Sequence, residues 1–376
     1  MKVTVAIDSF KGSMSSMEAG NAAREGILKA CGAQVAVKPL ADGGEGTTEA
    51  MVEGLGGDYV YTEVTGPLGG RIRARYGVMP DGRTAVMEMA EAAGIILVKP
   101  EELDPWKATT YGVGEMITDA LRRGYREFLI GIGGSATTDG GVGMLAALGY
   151  EFLDASGNEI GYGAAGLDKI AEIRDEGVMP ELKDCHFQIA CDVTNPLCGE
   201  NGAVFVYGSQ KGVKEAEKQV LDEKMRHYAR KTKEWLGEDR SEEAGAGASG
   251  GLGFAFLSYV PGAELKSGID MVLQAIRLEE DIRDSDIVVT GEGRLDFQTA
   301  MGKVPVGVAA LAKKYGCKVI AFAGGATEDA VMCNKKGIDA FFPIVRGVTT
   351  LEEAMKPETA RKNMALAAEQ VFRLLA

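Results

Sequence analysis

The sequence predicts an α/β protein, and three observations carry that reading. Short runs of β-forming residues recur without polar alternation, as in strands buried on both faces. Each run opens into a polar, glycine-rich loop, and helical periodicity follows that loop. The chain has 376 residues, enough for about two domains of ordinary size.

Val3–Ile7 reads as the first strand and ends in Asp8-Ser9-Phe10-Lys11-Gly12-Ser13. Ser15 and Glu18 have capping-box spacing, and Ala23, Ile27, Ala30 and Cys31 share one face of the helix they open. Gly32 is the expected stop. Val35–Leu40 is the next strand. It leads into Ala41-Asp42-Gly43-Gly44-Glu45-Gly46-Thr47 and a short helix to about Leu55. The pattern returns at Phe128–Ile132 before Gly133–Gly141, at Phe187–Ala190 before Cys191–Pro196, at Ile287–Thr290 before Gly291–Asp296, and at Val319–Ala323 before Gly324-Gly325. Strands are read as joined through helices rather than hairpins. The middle differs: Thr65–Arg71 and Arg83–Met89 are extended and glycine-broken, Val213–Glu238 is charged and helical, and Ser241–Gly253 reads as flexible. A middle domain inserted between two terminal halves and two sequential domains both fit this pattern.

Composition excludes several function classes. With 41 Lys and Arg against 55 Asp and Glu, the net charge of −14 repels nucleic acid and anionic lipid over the general surface. No apolar run reaches membrane-spanning length, and the five-residue run before Asp8 is too short for a signal peptide. Six cysteines without a C-x-x-C pair read as reduced thiols of a cytoplasmic protein, and the spacing of Cys185, His186, Cys191 and Cys198 fits no zinc pattern. Two histidines in all argue against a histidine-based triad. Gly302-Lys303 is followed by Val304 and preceded by Phe297 where a Walker A loop has its first glycine. Protein-kinase signatures, a G-x-S-x-G elbow and H-E-x-x-H are absent. Gly131–Ala136 with Asp154 approximates a dinucleotide fingerprint, so an NAD(P)-dependent oxidoreductase stands as an alternative. Its weak point is the loop that continues where a helix should start. Gly245-x-Gly247-x-x-Gly250 follows no strand and is weaker.

Glycine is abundant, 52 of 376 residues and about twice ordinary usage. Successive backbone N–H groups in such loops cradle anions. Several loops carry a single cation: Lys11, Lys211, Arg294 and Lys303. An acidic protein that sets cations in glycine loops focuses positive potential on an anionic ligand. The interleaved Asp42, Glu45, Asp139, Asp192, Glu292 and Asp296 can hold Mg²⁺ or accept a proton. Together these parts suit phosphoryl transfer, which needs mostly positioning and charge neutralisation. Glu88, inside an apolar run, needs a partner if buried and is a further candidate. Trp106, Trp235 and the methionines read as packing.

At these loops the chain resembles the bacterial glycerate kinase family. The matching stretches are DSFKGS (8–13), PLADGGEGT (39–47), GIGGSATTDGG (131–141), CDVTNPLCGENGA (191–203), GSQKG (208–212), GAGASGGLG (245–253), TGEGRLDFQT (290–299) and GKVPVGVA (302–309). They run over most of the chain in the family's order. Thr138 and Met301 stand where the family usually has Asn and often has His. The resemblance implies a Rossmann-like α/β domain from both chain ends (1–62 and 280–376) and a distinct α/β domain inserted at 63–279, with the active site in the cleft between them. It implies phosphorylation of D-glycerate to 2-phosphoglycerate with ATP and Mg²⁺, with the 3-hydroxyl or another small hydroxy acid as alternatives. A cytoplasmic enzyme is expected, with a homo-oligomer open. The roles follow from side-chain chemistry rather than from the resemblance: Lys11 and Arg294 are assigned to the glycerate carboxylate and the transferring phosphate, with Ser9 and Asn195 as further substrate contacts. Gly133, Gly134, Ser135, Thr137, Lys211 and Lys303 are assigned to the nucleotide, Asp192 or else Asp42 to the base, and Glu292 and Asp296 to Mg²⁺.

Overall fold

The computed structural model describes residues 1–376. Thirteen strands occur in chain order: β1 (Lys2–Ala6), β2 (Gln34–Lys38), β3 (Asp58–Thr65), β4 (Arg71–Val78), β5 (Thr84–Glu88), β6 (Glu127–Gly131), β7 (Glu151–Leu153), β8 (Glu172–Arg174), β9 (His186–Ala190), β10 (Ala263–Lys266), β11 (Ile287–Leu295), β12 (Lys318–Ala326) and β13 (Ala340–Pro343). The chain divides into two compact units. The first is Met1–Asp42, Glu49–Gly57 and Ile269–Ala376; the second is Gly43–Thr48 and Asp58–Gly268. The limits differ from 62/63 and 279/280, and the Gly43–Thr48 loop belongs to the second unit although its flanks belong to the first. No helix is long and apolar enough to cross a membrane.

The first unit is built on a five-stranded sheet in the order β13-β12-β11-β1-β2. Every pairing is parallel, with Val3 opposite both Ile287 and Val35. Counted within the unit, this is the doubly wound order 2-1-3-4-5 rather than the dinucleotide-binding order 3-2-1-4-5-6. The uninterrupted apolar runs of β1 and β12 are accounted for, since Val3–Ala6 and Val319–Ala323 are buried throughout. The helix Ser16–Ala30 starts at the expected capping box, with both reciprocal bonds made by Ser15 and Glu18. Its end differs from expectation: Cys31 turns extended, before Gly32 is reached. This helix packs against Pro357–Leu375, and Gly26 permits the approach, because a Cβ there would stand 2.0 Å from the Ala365 carbonyl oxygen. One core holds them together, from Val5 and Ile7 to Met364 and Phe372.

The second unit carries a six-stranded sheet in the order β10-β9-β6-β5-β4-β3 and a small β7-β8 pair. Strands β5, β6, β9 and β10 are mutually parallel. Strands β3 and β4 form an antiparallel hairpin that the sequence reading missed, turning at Gly66–Gly70. Its residues are half exposed, so they lack the apolar run that marked the buried strands. The core contains stacked Phe128 and Phe187, with centroids 4.6 Å apart, and an aromatic group around Tyr228, Phe254 and Tyr259. Trp235 stacks on Tyr259 as a packing residue. The charged stretch forms the helix Lys218–Leu236, burying Leu221, Met225 and Tyr228. Ser241–Gly253 is packed rather than loose, with Ala246, Ala248 and Leu252 buried. Its glycines serve close approach, which resembles flexibility in sequence.

Candidate functional site

In a doubly wound sheet, ligands bind beyond the carboxyl ends of the strands where the winding direction reverses. In the first unit that point lies between β1 and β11. Beyond β1 the Asp8 N–H still bonds to the Gly291 carbonyl of β11 at 2.9 Å, and β11 then runs on beside β12 to Leu295. A cavity of about 530 Å³ opens there, lined by Asp8, Lys11, Asp42, Glu292, Arg294 and Lys303 among others. The sequence reading named all of these except Asp8 as site residues.

Asp8 is only 7% exposed. Burial, reinforced by the negative charges of Asp42 and Glu292, pushes its pKa up to about 7, against the opposing bond from the Ser9 N–H. Its signal in the sequence was a carboxylate directly after the first buried strand. Ser9 lines the same cavity. Lys11 is exposed, with its ammonium 3.9 Å from the Asp42 carboxylate, and Arg294 is exposed at the end of β11. Burial also raises the pKa of Glu292, opposed by a 2.5 Å bond from the Thr299 hydroxyl. Asp296 differs from expectation. It is the N-cap of the turn Phe297–Ala300, where its carboxylate accepts from the Gln298 and Thr299 N–H groups.

In the second unit, β5, β6, β9 and β10 deliver Glu88, Gly131, Asp192 and the Lys266 end to one sheet edge. The Gly43–Thr48 loop lies on that edge. A Cβ on Gly131 would stand 2.3 Å from the Gly43 carbonyl oxygen, so only glycine fits. Glu88 anchors the loop, accepting from Gly46 N–H at 3.2 Å and Thr48 N–H at 2.8 Å, while burial raises its pKa. Its apolar setting in sequence thus marked a structural partner.

The Gly133–Thr137 loop presents exposed Gly133 and Gly134. Behind it Lys211 is 2% exposed and donates to the Ser135 hydroxyl at 2.6 Å and the Thr137 carbonyl at 2.7 Å. Burial lowers the Lys211 pKa to about 7, with nearby Asp139 opposing. Lys211 and the Ser135 hydroxyl therefore hold the loop from within instead of projecting outward. Asp139 is fully buried and accepts from Thr110 and from the Gly141 and Gly143 N–H groups, which ties the loop to its neighbours. The dinucleotide fingerprint fails at its helix: Ser135 bridges to Gly94, and helix starts only at Val142.

Asp192 is exposed and accepts from the Gly268 N–H at 3.0 Å. Asn195 serves as a structural clasp. Its amide donates to the Asn201 carbonyl at 2.8 Å and accepts from the Tyr207 hydroxyl at 2.7 Å. No three His, Cys, Asp or Glu side chains converge in a metal-binding group. Mg²⁺ does not require one, because it is commonly held by one or two carboxylates together with substrate phosphates and waters. Glu292 fits that use, and the capping bonds of Asp296 weaken its claim.

Comparison with known proteins bears on the family and the fold. The family model described as "Glycerate kinase family" matches residues 3–376. The chain is 46% identical over its full length to 98% of a "Glycerate 2-kinase" of Escherichia coli (strain K12). It is 46% identical over 95% of its length to 93% of a "Glycerate kinase" of Bacillus subtilis (strain 168). A crystal structure described as glycerate kinase 2 from Salmonella typhimurium LT2 superposes with a TM-score of 0.92 at 45% identity, covering 100% of this chain and 98% of that one. Matched from Val3 to the last residue, the loops at the strand ends included, this chain belongs to the glycerate kinase family.

Proposed function

We propose that the protein transfers a phosphoryl group from ATP to the 2-hydroxyl of D-glycerate, with Mg²⁺. The observation that carries this reading is the cavity at the β1/β11 switch point, which three cations line together with a buried carboxylate whose pKa is raised to about 7. The similarity to a protein named "Glycerate 2-kinase" supports the choice of hydroxyl.

Lys11, Arg294 and Lys303 neutralise the phosphoryl oxygens, the guanidinium offering a two-pronged donor. Asp8 accepts the hydroxyl proton as the oxygen–phosphorus bond forms and ADP leaves. A base with a pKa near the working pH suits that task. Asp8 thereby takes the role first given to Asp192 or Asp42, and Asp42 sets its charge environment. Glu292 is the proposed carboxylate for Mg²⁺, which supplies charge neutralisation at the phosphates when bound. Within the second unit, Gly133 and Gly134 form an anion-binding loop, positioned by Lys211.

An ADP-release assay with Mg-ATP and D-glycerate, with L-glycerate and metal-free controls, tests the reading. Metal-dependent turnover on D-glycerate is expected, and phosphorus NMR of the product identifies the 2-phosphate. Clean protein that releases no glycerate-dependent ADP rules the proposal out.

A further inference from the structure

The cavity at the β1/β11 switch point is lined by two chemically different sets of residues. One is ionic, made by Asp8, Lys11, Glu292, Arg294 and Lys303. The other is apolar, made by Ile344, Val345, Leu351, Ala354 and Met355. D-Glycerate has three carbons, each bearing oxygen, so it has no apolar face to bury and fills a small part of about 530 Å³. A second, larger group with a flat apolar body is needed to use the apolar set.

Two details specify that group. Leu351 lines the cavity yet is 76% exposed, an apolar surface left open to solvent at the mouth. Asn363, half-buried on the helix Pro357–Leu375, also lines the cavity, and its side-chain amide makes no hydrogen bond within the chain. An amide offers one donor and one acceptor side by side. That pair complements the N6/N7 edge of adenine, where N7 accepts and the exocyclic N6 donates, and it mismatches the same edge of guanine, where O6 and N7 both accept. The two sets meet, since a Cβ on Gly12, next to Lys11, would stand 3.1 Å from the Met355 methyl carbon.

We infer that the first unit binds the nucleotide, with the adenine ring between Leu351 and Met355, its edge read by Asn363, and its phosphates directed to Lys11, Arg294 and Lys303. This rests on the ATP-dependent reading above and replaces the assignment of nucleotide phosphates to the Gly133–Thr137 loop. It also makes Asn363 a specificity residue, at a position that no glycine-loop motif marks.

The test is ADP binding by isothermal titration calorimetry, with steady-state kinetics in parallel, for wild type, Asn363→Ala and Leu351→Asp. Both residues have solvent access, so the variants should fold, and a melting curve checks this. Losing the hydrogen-bonded edge should weaken ADP binding and raise the KM for ATP by about tenfold, leaving the KM for glycerate within about twofold. Asn363→Ala should also erode the preference for ATP over GTP, and Leu351→Asp should weaken both nucleotides alike. Photolabelling with 2-azido-ADP should mark the 344–363 segment. Unchanged ADP affinity in both variants, or label on 131–141, overturns the inference while glycerate-dependent turnover leaves the kinase reading standing. A wild-type protein with neither ADP binding nor glycerate-dependent turnover overturns both.

Discussion

Lys211 donates to the Ser135 hydroxyl at 2.6 Å, although the two residues are 76 positions apart in sequence. The ammonium is buried and also holds the Thr137 carbonyl. Lys211 therefore acts on the Gly133–Thr137 loop from beneath. Lys211→Met keeps the stem volume and removes both bonds. Turnover should fall about tenfold or more, because a loosened supporting shell misplaces the groups it carries. Burial lowers the Lys211 pKa from 10.5 to about 7, so between those values the unfolded chain binds more protons than the folded one. Its contribution makes stability rise with pH across that window, and the variant should lose this slope. Wild-type kinetics in Lys211→Met would remove the positioning role.

Asp8 has the opposite linkage. Its pKa is raised from 3.8 to about 7, so its contribution to stability is full below 3.8 and is lost as pH climbs through 7. Asp8→Asn should melt higher than wild type at pH 8. It should also lower kcat by about 100-fold or more and abolish an acid limb near pH 7, as removal of a general base does. Activity retained with the limb intact would return the role to Asp192 or Asp42.

Glu292 and Asp296 separate metal binding from capping. Glu292→Gln keeps an oxygen for Thr299 and removes the charge, so the Mg²⁺ concentration for half-maximal rate should rise about tenfold or more. Asp296→Ala should cost about 1 kcal/mol of stability through the lost cap, with little change in Mg²⁺ dependence. A metal titration and a denaturant melt on both variants check the pair. The reverse pattern would make Asp296 the ligand.

Asn195→Ala removes the partner of the Asn201 carbonyl and the Tyr207 hydroxyl. Stability should drop by about 1–3 kcal/mol from the groups left unpaired, and the KM for glycerate should hold. A selective rise in that KM would restore Asn195 as a substrate contact.

Much of the fold is legible in local chemistry. Buried parallel strands read as uninterrupted apolar runs, Ser15 and Glu18 mark a helix start, and strand ends carry the glycine loops, because each signal depends on neighbours in sequence. The β3–β4 hairpin was not legible, since its two strands keep polar residues on an exposed face. The chemical types at the site were legible for the same local reason: a lysine, arginine or carboxylate in a strand-end loop is a candidate wherever the strand lies. Their roles were not. Lys11 and Lys211 look alike in sequence, each the one cation of a glycine loop, yet one is exposed in a cavity and the other is buried behind a loop. Asn195 and Asp296 read as ligands from the sequence, and the fold adds a clasp and a cap that the sequence does not display.

The sequence by itself determined the α/β class, the family and the set of loops that carry charge, because strand burial, capping and motif order are written in contiguous residues. The tertiary structure alone decided which loops share a cavity, that Asp8 is poised near neutrality, that Lys211 faces inward, and that Asn363 stands beside an apolar wall. Burial and proximity between residues far apart in the chain set those properties, and they arise only when the sheet order brings β1 beside β11.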